Sequence, residues 1–121
     1  MLFRSLSGST TNQTVARLTF LGPLSEGANS LIDGNYTLTV LSSQVQGGIQ
    51  GGDNVSNLHR LFGDVNGDKA VNGLDLTAFR SAFGTVSTDA GYVPFLDFNG
   101  DGAINGTDLT QFRNRFGVIL P

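Results

Sequence analysis

Six of the chain's ten acidic residues stand in two triplets, Asp64/Asp68/Asp75 and Asp97/Asp101/Asp108, each stepping by four and then seven. Asparagines fill the same offsets in both. With Asp64 as position 1, side-chain oxygens fall at positions 1, 3, 5, 9 and 12 (Asp64, Asn66, Asp68, Asn72, Asp75), and Ala70 can offer a main-chain carbonyl at 7. The second segment supplies Asp97, Asn99, Asp101, Ala103 (carbonyl), Asn105 and Asp108. A hard divalent cation takes about six to eight oxygens at roughly 2.3–2.6 Å, and this odd-numbered spacing wraps such a set around one point. Magnesium would demand stricter octahedral geometry and zinc would want nitrogen or sulfur, so calcium, one ion per loop and two in all, is the expected cofactor. Asx-rich turns could explain one such segment. They do not explain two copies in matched register.

Two departures from the usual loop pattern bear on strength. Asp97 to Gly102 meets D-x-[DN]-x-[DN]-G in full, whereas the first loop has Lys69 where the glycine should stand. A side chain in a left-handed turn costs on the order of 1 kcal/mol, so the first loop is expected to bind more weakly. Position 12 is aspartate in both loops, one methylene shorter than the usual glutamate, which draws the following helix start closer.

Elements that could position these residues repeat with the loops. Sliding the chain by 33 residues lays 62–84 over 95–117, with 15 of 23 positions identical. Leu76, Phe79 and Phe83 recur at i, i+3 and i+7, as do Leu109, Phe112 and Phe116, so each loop is followed by a short amphipathic helix. Gly84 and Gly117 close those helices, and Asp75 and Asp108 sit at their starts, where orphan N–H groups favour carboxylates. Segments 57–62 and 92–96, interrupted or followed by Gly63 and Pro94, are too short to be entering helices.

A duplicated loop with only its exiting helix, carrying D-x-N-x-D-x-x-[VI]-N-x-x-D-L-x-x-[FL] over roughly 62–117, resembles the dockerin domain. That resemblance implies two calcium ions ordering two helices, and a protein partner, a cohesin, on the helix-start surface. It maps the recognition positions onto Gly73, Leu74, Arg80 and Ser81 in the first repeat, and Gly106, Thr107, Arg113 and Asn114 in the second. The cellulosomal type carries Ser-Thr at loop positions 10 and 11; this chain has Gly-Leu and Gly-Thr. Arg80 and Arg113 also suit an interface on their own chemistry, since a planar guanidinium offers five donors. Solvation of the helix backs is the plainer reading of the same residues, and of Arg115 above all.

Residues 1–57 carry no catalytic or metal signature. Val15–Leu21 and Tyr36–Leu41 are β-prone, the latter alternating as a half-buried strand should, and Asp33-Gly34-Asn35 signals a turn before it. DGNYTLTVLSSQV resembles the closing strands of an immunoglobulin-like sandwich. Residues 42–57, rich in Ser, Gln, Gly and Asn, read as a flexible linker. The expected class is α+β: a partial β module and linker over 1–57, then a mainly α pair of loop–helix repeats over 58–121.

Composition narrows the function. At 121 residues and 14% charged, with 17 glycines and no cysteine or tryptophan, the chain can hold neither a large core nor a disulfide or thiolate site. A net charge of −3 argues against nucleic acid, and no apolar run is long enough to span a membrane. His59, the lone histidine, reads as a solvated linker residue, and no nucleophile–base arrangement suggests an enzyme. A calcium-dependent docking module is therefore expected, with a calcium-rigidified structural unit or an EF-hand sensor or buffer as alternatives. One methionine, at the terminus, speaks against the Met-rich groove of a sensor. Met1-Leu-Phe-Arg-Ser-Leu6 is too short for a secretory signal, yet modest-affinity calcium modules saturate best outside the cell. The expected setting is extracellular or cell-surface, within a larger multidomain protein.

Overall fold

A computed structural model describes the backbone of residues 2–5 and 16–121 and the side chains from residue 20 onward. Among the described residues six short strands precede two helices, an α+β arrangement. β1 (Leu2–Ser5) pairs with β2 (Ala16–Thr19), β3 (Ser25–Glu26) with β4 (Ser30–Leu31), and β5 (Gly34–Val40) with β6 (Asn54–Arg60), all antiparallel. Val15, first residue of the earlier β-prone run, lies outside the described residues. The ladders are three two-stranded sheets rather than two packed layers. Along β5 the half-buried residues Tyr36 and Leu38 alternate with exposed Asn35, Thr37 and Thr39, as the sequence pattern requires.

The linker expectation needs correction. Residues 54–57 are the first half of β6, in register from Val40↔Asn54 to Gly34↔Arg60, and Ser42–Gln44 form a 3-10 turn. Within 42–53 the Asp53 carboxylate accepts the Ser42 N–H at 2.8 Å. A boundary at 57/58 would cut β6 in two.

α1 (Gly73–Ala82) and α2 (Gly106–Arg115) each start with a reciprocal cap. Asn72 and Asn105 are the N-caps, accepting from Leu74 and Thr107 N–H at 2.9 and 2.8 Å. Asp75 and Asp108, three residues on, accept the N-cap N–H in return at 2.8 Å each. β6 and a 3-10 turn at Pro94–Leu96, not helices, lead into the two loops. Phe79 and Phe112, fully buried, meet at 4.7 Å between ring centroids, and Val71, Ile104, Ala82, Leu96, Leu61 and Phe62 complete the core. Phe83 and Phe116 do not continue the buried stripe. They are the C-cap residues, half exposed, because the chain turns out of the helix before the third turn is finished.

That exit has a purpose in the packing. Gly84 and Gly117, at φ 87° and 88°, direct their N–H groups into the opposite repeat rather than back into their own helices. Gly117 donates to Val71 O (2.8 Å), Val71 to Val118 O (3.0 Å) and Leu120 to Lys69 O (2.8 Å). Gly84 likewise donates to Ile104 O (2.8 Å), Ile104 to Thr85 O (2.9 Å) and Ser87 to Gly102 O (2.8 Å). Each loop is thus clasped by the segment leaving the other repeat's helix, and neither repeat is complete alone. No helix among the described residues is long and apolar enough to cross a membrane.

Candidate functional site

Each loop is organised around its first aspartate. Asp64 accepts N–H bonds from Gly67, Asp68 and Lys69 at 2.7, 3.1 and 3.0 Å. Asp97 accepts from Gly100, Asp101 and Gly102 at 2.8, 3.2 and 2.8 Å. Position 12 closes the ring: the other oxygen of Asp75, beyond its capping bond, takes Val65 N–H at 2.8 Å, and that of Asp108 takes Phe98 N–H at 2.8 Å. Asp68 and Asp101 accept from Ala70 and Ala103 N–H and from the Asn66 and Asn99 amides. The two loops therefore share one hydrogen-bond diagram, residue for residue, at an offset of 33.

The electrostatics do not balance within the loops. Asp75, Asp97 and Asp108 are buried, yet among the described residues no lysine or arginine pairs with any loop carboxylate. Clustered buried carboxylates without a counter-cation are costly, and an all-oxygen donor set suits a hard divalent ion. No group of three His, Cys, Asp or Glu side chains among the described residues is gathered as a ready-made metal cluster. A cation in these loops would draw on amide and carbonyl oxygens as well as carboxylates. Asn72 and Asn105, expected at position 9, already spend Oδ1 on helix capping.

Lys69 lies in the left-handed region at φ 68°, where its counterpart Gly102 has φ 85°, so the strain expected of the first loop is present. Its ammonium turns away from the carboxylates to the Pro121 carbonyl at 3.3 Å. Asp101 titrates below the usual carboxylate range, held there by the Asn99 amide first and by Ala103 N–H and Asn105 after it.

Sequence reasoning missed the ring side chain behind each first aspartate. His59 is no solvated linker residue: from β6, half-buried, its Nε2 lies 2.9 Å from Asp64 Oδ2. Thirty-three residues later Tyr92 donates to Asp97 Oδ2 at 2.7 Å. That hydrogen bond, then burial and the carboxylates Asp97, Asp101 and Asp108, push the Tyr92 hydroxyl up to about 12. The repeat extends further upstream than identity shows, because the two positions share a role but not a residue type.

All eight candidate recognition residues are exposed: Gly73, Leu74, Arg80 and Ser81 on α1, and Gly106, Thr107, Arg113 and Asn114 on α2. Leu74 is 70% exposed, an apolar side chain with nothing of its own chain to cover it. Arg80 and Arg113 form no ion pair among the described residues, while Arg113 borders a shallow groove of about 440 Å³ with Leu76, Leu109, Phe112 and Phe116. Arg115 points elsewhere, to Glu26 and Asp33 of the N-terminal segment.

Comparison with known proteins agrees with the loop geometry. The family model of the dockerin type I domain matches residues 62–117. Among solved structures, a type II cohesin–dockerin domain from Bacteroides cellolosolvens is 32% identical, covering 50% of this chain and 90% of that one, with a TM-score of 0.42. A type II cohesin–X–dockerin complex from Acetivibrio cellulolyticus is 42% identical over 44% of this chain and 34% of that one, with a TM-score of 0.40. No curated protein sequence matches the chain. The duplicated loops, their shared hydrogen-bond diagram and the match over both repeats lead to one assignment: over residues 62–117 the chain belongs to the dockerin family.

Proposed function

We propose that this chain is a non-catalytic docking module in which two calcium ions order the paired repeats and present a surface to a cohesin-like protein partner. The dockerin family is one of calcium-binding docking modules, which supports the reading at its coarsest level. One observation supports the finer one: two loops with matching hydrogen-bond patterns hold three carboxylates each, and among the described residues no lysine or arginine pairs with any of them. Asp64, Asn66, Asp68, Ala70 (carbonyl), Asn72 and Asp75 would hold the first ion. Asp97, Asn99, Asp101, Ala103 (carbonyl), Asn105 and Asp108 would hold the second. Bound calcium would supply charge compensation and loop closure, not catalysis. Leu74, with Gly73, Arg80 and Ser81, and Thr107, with Gly106, Arg113 and Asn114, would meet the partner. An exposed leucine and two arginines with no ion pair among the described residues suit an apolar anchor beside charged donors. An extracellular or cell-surface setting belongs to the same proposal, since calcium at millimolar levels would keep modest-affinity loops filled.

The test is a binding titration of the full chain against purified type I and type II cohesin modules, in calcium and in chelator. Binding to at least one of them in calcium, lost in chelator and weakened at least tenfold by Leu74→Asp, is expected. Calcium uptake without binding to either module would instead support the structural reading, in which the calcium unit braces its own β segment. The ion pairs from Arg115 to that segment favour this second reading.

A further inference from the structure

Glu26, Asp33, Arg60 and Arg115 form a four-membered ion cluster that ties the β segment to α2. Arg60 pairs with Glu26 and Asp33, and Arg115 with Asp33 through Nε and with Glu26 through Nη2, at 2.9 and 3.1 Å to the two Glu26 oxygens. All four side chains are largely buried, with 13–24% of their surface exposed. Phe62 and Phe98 lie beneath the guanidiniums, with centroid distances of 5.1–5.9 Å, and meet edge-on at 5.0 Å. Asp33 also accepts the Phe62 N–H at 2.8 Å.

Phe98 is position 2 of the second loop, and it is held on every side. Its ring is under the cluster, its carbonyl accepts Ala28 N–H at 3.1 Å, and its own N–H is the 2.8 Å donor to Asp108. Around it the β segment approaches so closely that a Cβ on Gly27 would collide with the Phe98 carbonyl, and one on Gly100 would stand 2.6 Å from Ala28 Cβ. Among the described residues the matching position of the first loop has no such clamp, and β6 reaches that loop through His59 and Asp64 instead. Val65, the counterpart of Phe98, makes the matching bond to Asp75, and Ala82 stands in the core where α2 has Arg115. Where the duplicated helices differ most in chemistry, the β segment is docked on one of them.

We infer that Glu26 and Asp33 are positioning residues for the second loop: through Arg115, Arg60 and Phe98 they fix the Asp108 carboxylate, so this ion cluster sets the metal affinity of that loop and not of the first. This rests on the calcium reading above, and the metal alone is the probe. The experiment is a calcium titration of the full chain followed by NMR at the Gly67 and Gly100 amides, one in each loop. Arg115→Ala, which copies the twin helix, and Glu26→Gln/Asp33→Asn are each expected to weaken calcium at the second loop about tenfold while the first changes less than twofold. Arg115→Lys, which keeps the charge, should recover part of the loss. Phe98→Val, copying the twin loop, should weaken the second loop severalfold with every charge intact, and serves if the charge variants fail to fold. Equal weakening of both loops, or a lower melting temperature with unchanged affinities, would overturn the inference. Failure of the unmutated chain to bind calcium at all would overturn the function reading instead.

Discussion

Exchanging Lys69 for glycine should strengthen the first loop. Lys69 is held at φ 68°, a conformation that costs an L-residue roughly 1–2 kcal/mol and glycine almost nothing. Against this, glycine adds about 0.4–1 kcal/mol of chain entropy to the unfolded state. The lost contact from Lys69 Nζ to the Pro121 carbonyl is exposed, at 3.3 Å, and counts for little. The net gain is roughly 0.5–1 kcal/mol, or a two- to fivefold tighter first site if the strain is felt only in the closed loop. The reverse exchange, Gly102→Lys in the second loop, should cost a similar amount. It places a Cβ at φ 85° and 3.4 Å from Ser87 Oγ. Calcium titration read at the Gly67 and Gly100 amides separates the two loops. A Lys69→Gly variant that leaves the first loop unchanged, or tightens both equally, would refute the link between backbone strain and the ranking of sites.

Three further perturbations probe the packing around the loops. Phe112→Ala removes a fully buried ring stacked on Phe79, and a loss of about 3–5 kcal/mol, enough to unfold a unit of this size, is expected in denaturant titration. Removing residues 118–121 deletes the Val118 and Leu120 bonds to Val71 and Lys69, so the first loop, not the second, should lose calcium affinity in the same two-loop titration. Tyr92 is protonated when it donates to Asp97, and its folded pKa is raised from 10.0 to about 12. Its stabilising contribution is therefore complete below pH 10 and lost as pH rises through about 12. Absorbance at alkaline pH should show a phenolate step well above 10 that vanishes in Tyr92→Phe.

What the sequence made legible was local. The aspartate and asparagine spacing of the loops, the duplicated helices and the positive-φ positions are all fixed within a dozen residues of each other, where residue type and period carry the information. β6 was hidden because its apolar residues, Val55 and Leu58, stand three apart and its other members are poor strand formers; only pairing with β5 stabilises it. The Asn72–Asp75 and Asn105–Asp108 capping boxes use a shorter acid than the usual pattern, so the spacing shows the aspartates at the helix starts but not the asparagines as their reciprocal N-caps. The cross-repeat clasp gives Gly84 and Gly117 a role beyond ending helices, and nothing adjacent to them announces it. Arg115 reaches back 82 and 89 residues to Asp33 and Glu26, and its one trace in the sequence is that it breaks the repeat where Ala82 stands.

The most direct measurement is calcium titration calorimetry of the full chain, paired with amide spectra before and after chelator. Two ions per chain are expected, with dispersed resonances from 62–117 that collapse on chelation and return when calcium is restored. Spectra that keep their dispersion in chelator, with no heat on adding calcium, would contradict the claim that an ion completes these loops.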